Sequence, residues 1–289
     1  MSDEPPRSPK DAHYARLRRA HRDAGRPGHP ASERPKSTPG APDGTVRLWG
    51  LHSVRAALAN PRRRIRRLYV TRNALERLGL GDPAAQPFPV ELVEPRAIDK
   101  LTEADAVHQG VLLEAEPLSP KPLAALGKTQ LVLVLDQVSD PHNVGAVLRS
   151  AVAFGAGALV TTSRHSAHES GVLAKAASGA LEHIDLIEVR NLGQALESLT
   201  GAGFLTIGLD GGAGTTLAAA LSGERLALVL GAEGKGLRQK TRETVDRLAR
   251  LDLPGPIGSL NVSNAAAVAL YAADAFLRGS RDPASGPAA

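Results

Sequence analysis

Three short segments of this 289-residue chain combine glycine with amide, hydroxyl, carboxylate and guanidinium groups at spacings that suit ligand chemistry. The first, Asp140-Pro-His-Asn-Val-Gly-Ala-Val-Leu-Arg149, follows an apolar run, so Asn143 and Arg149 frame a strand-to-helix turn. Helical side chains lean toward the N-terminus, and the Arg149 guanidinium can reach back over that turn, where open α/β sheets collect ligands. A phosphate or a ribose would suit the turn, while Asn143 as a helix cap and Arg149 as a surface residue would leave the same sequence trace. The second segment, Gly231-Ala-Glu-Gly-Lys-Gly236, lets backbone approach a ligand with amides facing it. It is not a P-loop, because Leu237 stands where a Lys-Ser/Thr spacing is required, and its glycines do not follow the dinucleotide-binding order. Glu233 in it reads either as a ligand-facing group or as a solvated loop carboxylate. The third, Ser259-Leu-Asn-Val-Ser263, opens a helical run beginning at Asn264. Two Ser and two Asn within six residues exceed what one helix start needs, so part of that hydrogen-bonding capacity is free for a ligand.

The elements that must position these segments are legible as apolar runs. Continuous apolar stretches at 131–135, 158–162, 184–189, 204–209 and 226–230 have the pattern of buried parallel strands. Helix-like stretches near 143–154, 168–179, 191–201, 215–222 and 236–248 alternate with them, which gives a mostly parallel sheet with helices on both faces. The loop Gly208-Leu-Asp-Gly-Gly-Ala-Gly214 follows one of those strands and reads as an ordinary flexible loop or as a border of the same pocket. The run from Asn264 to Phe276 is apolar nearly all round and therefore reads as buried. Upstream, residues 45–117 read as a small α/β unit, with a strand-like start at Trp49, a helix at 52–58, strands at 65–71, 87–93 and 110–115, and a helix beginning at Pro95. Residues 118–129 read as a linker to a second domain at 130–280, each domain long enough to bury its own core.

Residues 1–44 hold much Pro, Arg, Ser and Gly and little aliphatic surface to offset ordering, and they read as a disordered basic tail; 281–289 reads the same way. Arg16, Arg18, Arg19 and Arg22 in the first tail leave two readings open, an RNA contact and an inert tail. The formal net charge is +5, and Arg62, Arg63, Arg64, Arg66 and Arg67 fall in one short stretch, which reads as a phosphate-binding footprint or as a solvated arginine-rich face. The chain has no cysteine, so disulfides and thiolate metal sites are excluded and no metal site is expected. No apolar run approaches a membrane span and the start carries no secretory pattern, so a soluble cytoplasmic protein is expected.

In this order, the three segments, with Lys175-Ala-Ala-Ser-Gly-Ala-Leu-Glu-His183 between them, resemble the SpoU/TrmH family of RNA 2′-O-ribose methyltransferases in the SPOUT superfamily. The resemblance covers 130–278. Upstream, Trp49-Gly-Leu-His-Ser-Val54 and Val107-His-Gln-Gly-Val111 look like the small RNA-binding domain of the bacterial large-subunit rRNA guanosine subgroup. The resemblance implies a C-terminal deep trefoil knot, an exception to the rule that connections do not thread. It further implies a homodimer through the knot domain and S-adenosylmethionine held at the knot loops, 231–236 and 253–261. Gly231, Leu253 and Leu260 would touch that cofactor largely through backbone, with Leu209, Ile257 and Ser263 beside them. Arg149, Asn143, Glu233, Ser259 and Asn261 would be the catalytic group, and Arg62, Arg63, Arg64, Arg66, Arg67 and His108 the RNA contacts. The loop 253–260 is shorter than the family's usual version, which bears on the adenine-side contacts.

The implied reaction is an in-line displacement at a sulfonium methyl by a ribose 2′-hydroxyl, with a guanosine of 23S rRNA as the expected substrate. A free guanidinium scarcely deprotonates, so phosphate placement or stabilisation of developing alkoxide charge suits Arg149 better than a general-base role. Three rival readings stand beside this one: a transfer RNA substrate, a non-catalytic RNA-binding assembly factor, and a nicotinamide-dependent oxidoreductase, against which the missing dinucleotide-binding spacing counts.

Overall fold

The structure is a computed structural model that describes residues 44–280, His165 excepted. The expectations for the two tails, including Arg16, Arg18, Arg19 and Arg22, lie outside the described residues. Two sheets organise the described chain. The first has four strands in the order β1-β4-β2-β3: β1 (Val46–Trp49), β2 (Ile65–Val70), β3 (Val90–Leu92) and β4 (Val111–Ala115). Strand β4 runs antiparallel to both β1 and β2, while β3 joins β2 in parallel. Helices α1 (Leu51–Ala59), α2 (Arg72–Leu78) and α3 (Pro95–Asp99) connect them. The strand expected over 87–93 shrinks to three residues because prolines at 87 and 89 remove ladder donors.

The second sheet has six strands in the order β10-β8-β9-β5-β6-β7, all parallel. These are β5 (Leu131–Asp136), β6 (Ala158–Thr162), β7 (Asp185–Val189), β8 (Leu205–Leu209), β9 (Leu226–Gly231) and β10 (Arg247–Ala249). Every residue of β5 is buried, as a strand covered on both faces requires. The helices are α4 (Pro141–Ala153), α5 (Gly171–Ala177), α6 (Leu192–Gly201), α7 (Leu217–Ala220), α8 (Gln239–Thr244) and α9 (Val262–Gly279). One apolar cluster, with Val147, Leu148, Ala269 and Leu270, fills one face of this sheet; another, with Leu196, Leu199, Phe204 and Val245, fills the other.

Two element expectations need correction. The stretch 236–248 is not one helix: α8 spans only six residues, and β10, unforeseen, follows it as the edge strand beside β8. A three-residue strand is too short to show a period, and its pairing partner lies far back in the chain. Helix α9 is not buried all round either. Val262, Ala266, Ala269, Leu270, Ala273 and Leu277 form one buried stripe at helical spacing, whereas Val268 and Tyr271 are 47% and 60% exposed.

The two sheets do not keep separate cores. A single buried cluster runs from Leu48 and Val54 in the small unit to Leu173 and Leu181 in the large one. Polar ties cross the same boundary: the Ser53 hydroxyl donates to the Ala174 carbonyl at 2.8 Å, and Asn60 Nδ2 to Glu182 Oε2 at 2.6 Å. The segment 118–129 is tied down as well, its Lys121 amide donating to the Leu186 carbonyl at 2.8 Å and its Leu126 side chain buried.

Arg63 is the strongest of these ties, and here the expectation of an RNA contact is overturned. Its side chain has no exposure; it pairs with Glu169 at 2.5 Å and with Glu182, and donates to the Glu116 carbonyl at 2.9 Å. A guanidinium saturated in this way cannot meet a phosphate. Burial pushes the Glu169 carboxyl up, and the facing Arg63 charge and the Leu118 amide pull it back. Removing the arginine strands two buried carboxylates without a counter-charge. Arg63→Ala is therefore expected to lower unfolding free energy by about 3–5 kcal/mol in urea titration, with Arg64→Ala as a near-neutral control.

Candidate active site

The helix carrying the first polar segment is capped by Asp140, not by Asn143 as one reading had it. Asp140 Oδ1 accepts the His142 amide at 2.9 Å, and Pro141 occupies the first turn, where its missing donor costs nothing. Asn143 is thereby released for longer-range bonds. Helix α4 is held tightly against α5 at Gly145, where a Cβ would lie 2.7 Å from the Leu173 carbonyl oxygen and 2.9 Å from the Ala177 nitrogen. That contact with α5 backbone fixes where the Asn143 and Arg149 positions lie.

The loop after β9 is held as closely. A Cβ on Gly231 would fall 2.1 Å from the Gly236 carbonyl carbon, so only glycine lets the turn fold back on its own start, closed by the Gly236 amide on the Ala232 carbonyl at 2.8 Å. At its far end Asp136, fully buried at the end of β5, accepts the Arg238 amide at 3.0 Å, Arg238 Nε at 2.6 Å and the Thr241 hydroxyl at 2.7 Å. Glu233 sits at the exposed tip between these anchors.

There the three polar segments meet. Glu233 Oε1 accepts from Asn143 Nδ2 at 3.3 Å, from Asn261 Nδ2, and from the Val262 amide at 3.3 Å. Asn261 Nδ2 also donates to Asn143 Oδ1 at 3.1 Å, while Asn261 Oδ1 caps α9 by accepting the Ser263 amide at 2.8 Å and hydroxyl at 2.6 Å. Asn261 thus serves both as a cap and as a cross-link, so two of the four polar side chains there, Asn261 and Ser263, are spent inside the protein.

Beside this clamp lies a cavity of about 320 Å³ at the C-terminal ends of β8 and β9. Gly231, Ala232, Glu233, Gly234 and Gly236 border it on one side and Gly258, Ser259 and Leu260 on another. Leu209, Leu230, Leu251, Leu253, Val262 and Ala265 supply its apolar surface. Of the residues expected at a cofactor, Gly231, Leu253, Leu260 and Leu209 line the cavity. Ile257 does not: it is 71% exposed and is not among the lining residues. Ser263 is bound to Asn261 instead. Arg149 is exposed and has no ion-pair partner among the described residues, and it does not join the Glu233 cluster.

Asp210, within the 208–214 loop that one reading set at the border of this pocket, also lines the cavity; its side chain is largely buried and forms an ion pair with Arg242. A carboxylate directly after a parallel strand was the available signal, since ligands gather at that end of such sheets.

Of the arginine stretch, Arg66 and Arg67 lie on β2 of the small sheet and Arg62, Arg63 and Arg64 just before it. Arg62 pairs with Asp185 at 3.1 Å, Arg66 with Glu116 and Arg67 with Glu91, all at exposed positions, whereas Arg64 is 82% exposed with Glu116 no nearer than 3.9 Å. His108 is mostly covered, its Nε2 2.9 Å from Asp99 Oδ1 and its Nδ1 accepting the Gly110 amide at 3.0 Å, so its first task is to shape the turn before β4.

Fold and site define an α/β protein with a cavity and an adjoining polar clamp on the C-terminal edge of a parallel sheet. Residues 130–271 match the SpoU rRNA Methylase family, and residues 47–121 match the family described as RNA 2′-O ribose methyltransferase substrate binding. The chain belongs to the SpoU rRNA methylase family. It is 37% identical over 238 residues to the 23S rRNA (guanosine-2′-O-)-methyltransferase RlmB of Pseudomonas putida, spanning 78% of this chain and 95% of that protein. The Escherichia coli K12 protein of the same name is 34% identical over 236 residues, spanning 78% and 96%. In fold, the chain is similar to the SpoU methyltransferase AviRb from Streptomyces viridochromogenes, solved in complex with AdoMet. The TM-score is 0.69 at 21% identity, over 81% of this chain and 90% of that one.

Substituting Gly231 tests the geometry of the turn. Gly231→Ala must displace the Gly236 backbone, and a loss of about 1–3 kcal/mol in stability is expected. Hydrogen exchange of the Gly236 amide should accelerate, while amides in the small sheet keep their protection.

Proposed function

We propose that this protein transfers the methyl group of S-adenosylmethionine to a ribose 2′-hydroxyl of RNA, and that the nucleotide is a guanosine of 23S rRNA. The observation that carries the reading is the convergence of Asn143, Glu233 and Asn261 beside the glycine-walled cavity, in a chain of the SpoU family. The cavity fits the cofactor: it offers leucine surface for an adenine, the backbone of the glycine turn and the Asp210 carboxylate for polar groups, and enough volume for a bent nucleoside. Gly231, Leu253 and Leu260 would hold it, largely through backbone. When bound, S-adenosylmethionine supplies an electrophilic sulfonium methyl.

The remaining tasks fall to the chain's own residues. Glu233, locked by three donors, holds the Asn143 and Asn261 amides in one arrangement and so orients whatever ribose enters beside them. Ser259, on the cavity wall, offers a hydroxyl on the same side. A guanidinium is a poor general base, so the role of Arg149 is to place an RNA phosphate or to stabilise charge developing on the 2′-oxygen. Being exposed and without a carboxylate partner among the described residues, it has its full charge available for this.

Arg62, Arg64, Arg66 and Arg67, with the turn shaped by His108, are read as the small sheet's RNA-facing group, Arg64 being the least engaged within the protein. The segments 231–236 and 253–261 are read as the knot loops, a reading supported by the cavity that Gly231, Leu253 and Leu260 line together. A homodimer through α9 is supported by exposed Val268 and Tyr271, the latter packed edge-on against Phe154 at 5.9 Å. Cytoplasmic residence follows from the substrate, and no described helix is long and apolar enough to cross a membrane.

Ribose-methylation mapping of total RNA, with and without the gene and with Arg149→Ala in its place, tests the reaction. One 23S rRNA guanosine is expected to lose its methyl in both deficient strains. A lost transfer RNA mark would move the substrate, and an unchanged map would remove the catalytic reading. Sedimentation should give a dimer at micromolar concentration, and Tyr271→Asp with Val268→Asp should shift it to monomer; a monomeric parent protein would overturn the interface.

A further inference from the structure

A second cavity opens on the same edge of the large sheet, beyond the ends of β5, β6 and β7. It measures about 390 Å³, and its lining includes Arg164, Arg190, Arg238 and Lys240 but no carboxylate. Arg238 spends one edge of its guanidinium on the buried Asp136. Arg164, Arg190 and Lys240 are exposed and have no ion-pair partner among the described residues. Nothing in the remaining lining (Gln137, Thr162, Asn191, Leu192, Gly193, Thr241) offsets the three positive charges, Arg164, Arg190 and Lys240, that converge on the hollow beside the Asp136-bound Arg238. The ten-residue helix α6 adds to the same potential, because it begins at this cavity with Asn191 as its cap. Like charges gathered around a concave surface repel one another unless an anion enters, so the arrangement itself selects for one.

We propose that this hollow binds a phosphodiester of the RNA substrate's backbone, one or more nucleotides away from the ribose that enters the site beside Glu233. The inference rests on the methyltransferase reading for the identity of the anion. The chain path supports the pairing of the two sites. The turn Gly231–Gly236 that walls the first cavity continues through Leu237 directly into Arg238 and Lys240 of the second, and Asp136 anchors that continuation from below. A strand of RNA lying along the sheet edge would meet both cavities in succession. Phosphate contacts fix register without reading bases, so the second hollow would set which ribose reaches the first.

The test is the salt dependence of binding of a fluorescein-labelled single-stranded RNA, with Arg164→Ala, Arg190→Ala and Lys240→Ala combined in the full-length protein. Each phosphate contact contributes about 0.7 to the slope of log K against log salt for single strands, so losing three cations should flatten the slope by about 2. Affinity at low salt should fall tenfold or more. Arg164→Lys with Arg190→Lys should retain the parent slope, because charge is kept. If the triple variant melts early, Lys240→Glu alone should still weaken binding and flatten the slope. Unchanged affinity and slope in the triple variant, or no RNA binding by the parent protein, would overturn the proposal. Methyl incorporation into RNA from the gene-deficient strain is measured in parallel: RNA binding with the expected slope change but no methyl transfer would sustain the phosphate site and remove the methyltransferase reading instead.

Discussion

A single carboxylate oxygen, Glu233 Oε1, holds the functional end of this protein together. It accepts from a side chain of α4, a side chain before α9 and the first amide of α9, segments separated in sequence by 90 and 28 residues from Glu233 on its two sides. An ionised carboxylate can serve several donors at once, which a hydroxyl or an amide oxygen does less strongly. The geometry of the cavity is a consequence, since its walls are the glycine turn on one side of Glu233 and the Gly258–Leu260 stretch on the other. The anchors behind that carboxylate, the close turn at Gly231 and the buried Asp136 bound to Arg238 and Thr241, leave the loop little freedom to carry Glu233 elsewhere.

The parallel sheet explains why chemistry gathers where it does. All six strands point the same way, so every strand-to-helix turn and every loop leaving a strand emerges on one edge. That edge divides by charge. Toward β8 and β9 it offers apolar walls, glycine amides and the paired Asp210; toward β5, β6 and β7 it offers unpaired cations. An uncharged nucleoside face and a phosphate-bearing backbone would each find matching surface, and the boundary between the two regions is the Asp136–Arg238 pair.

The small sheet is fused to the large one through shared apolar packing and through Arg63. Five arginines cluster in sequence, and the structure divides their labour: one is enclosed between Glu169 and Glu182 to bind the two units, and the others stay at the surface. Charge in a sequence reports how many such groups exist; which of them face water depends on where the opposing carboxylates come to lie, and both partners of Arg63 are more than a hundred residues away.

The sequence alone determined the parallel α/β class, because five continuous apolar runs alternating with amphipathic stretches have few other solutions, and it marked the three polar segments, because their residue types suit no core. Gly231, Leu209, Leu253 and Leu260, named through the family resemblance, line one cavity. Tertiary structure decided the rest. Whether Asn143 caps its helix or reaches Glu233, whether Ile257 turns in or out, and whether Arg63 meets solvent or two carboxylates are all settled by partners distant in the chain. Strand β10 and the basic hollow at Arg164, Arg190 and Lys240 escaped notice for the same reason. Periodicity and capping are local and can be read along the chain; pairing, burial and the convergence of charge depend on contacts that exist only once it has folded.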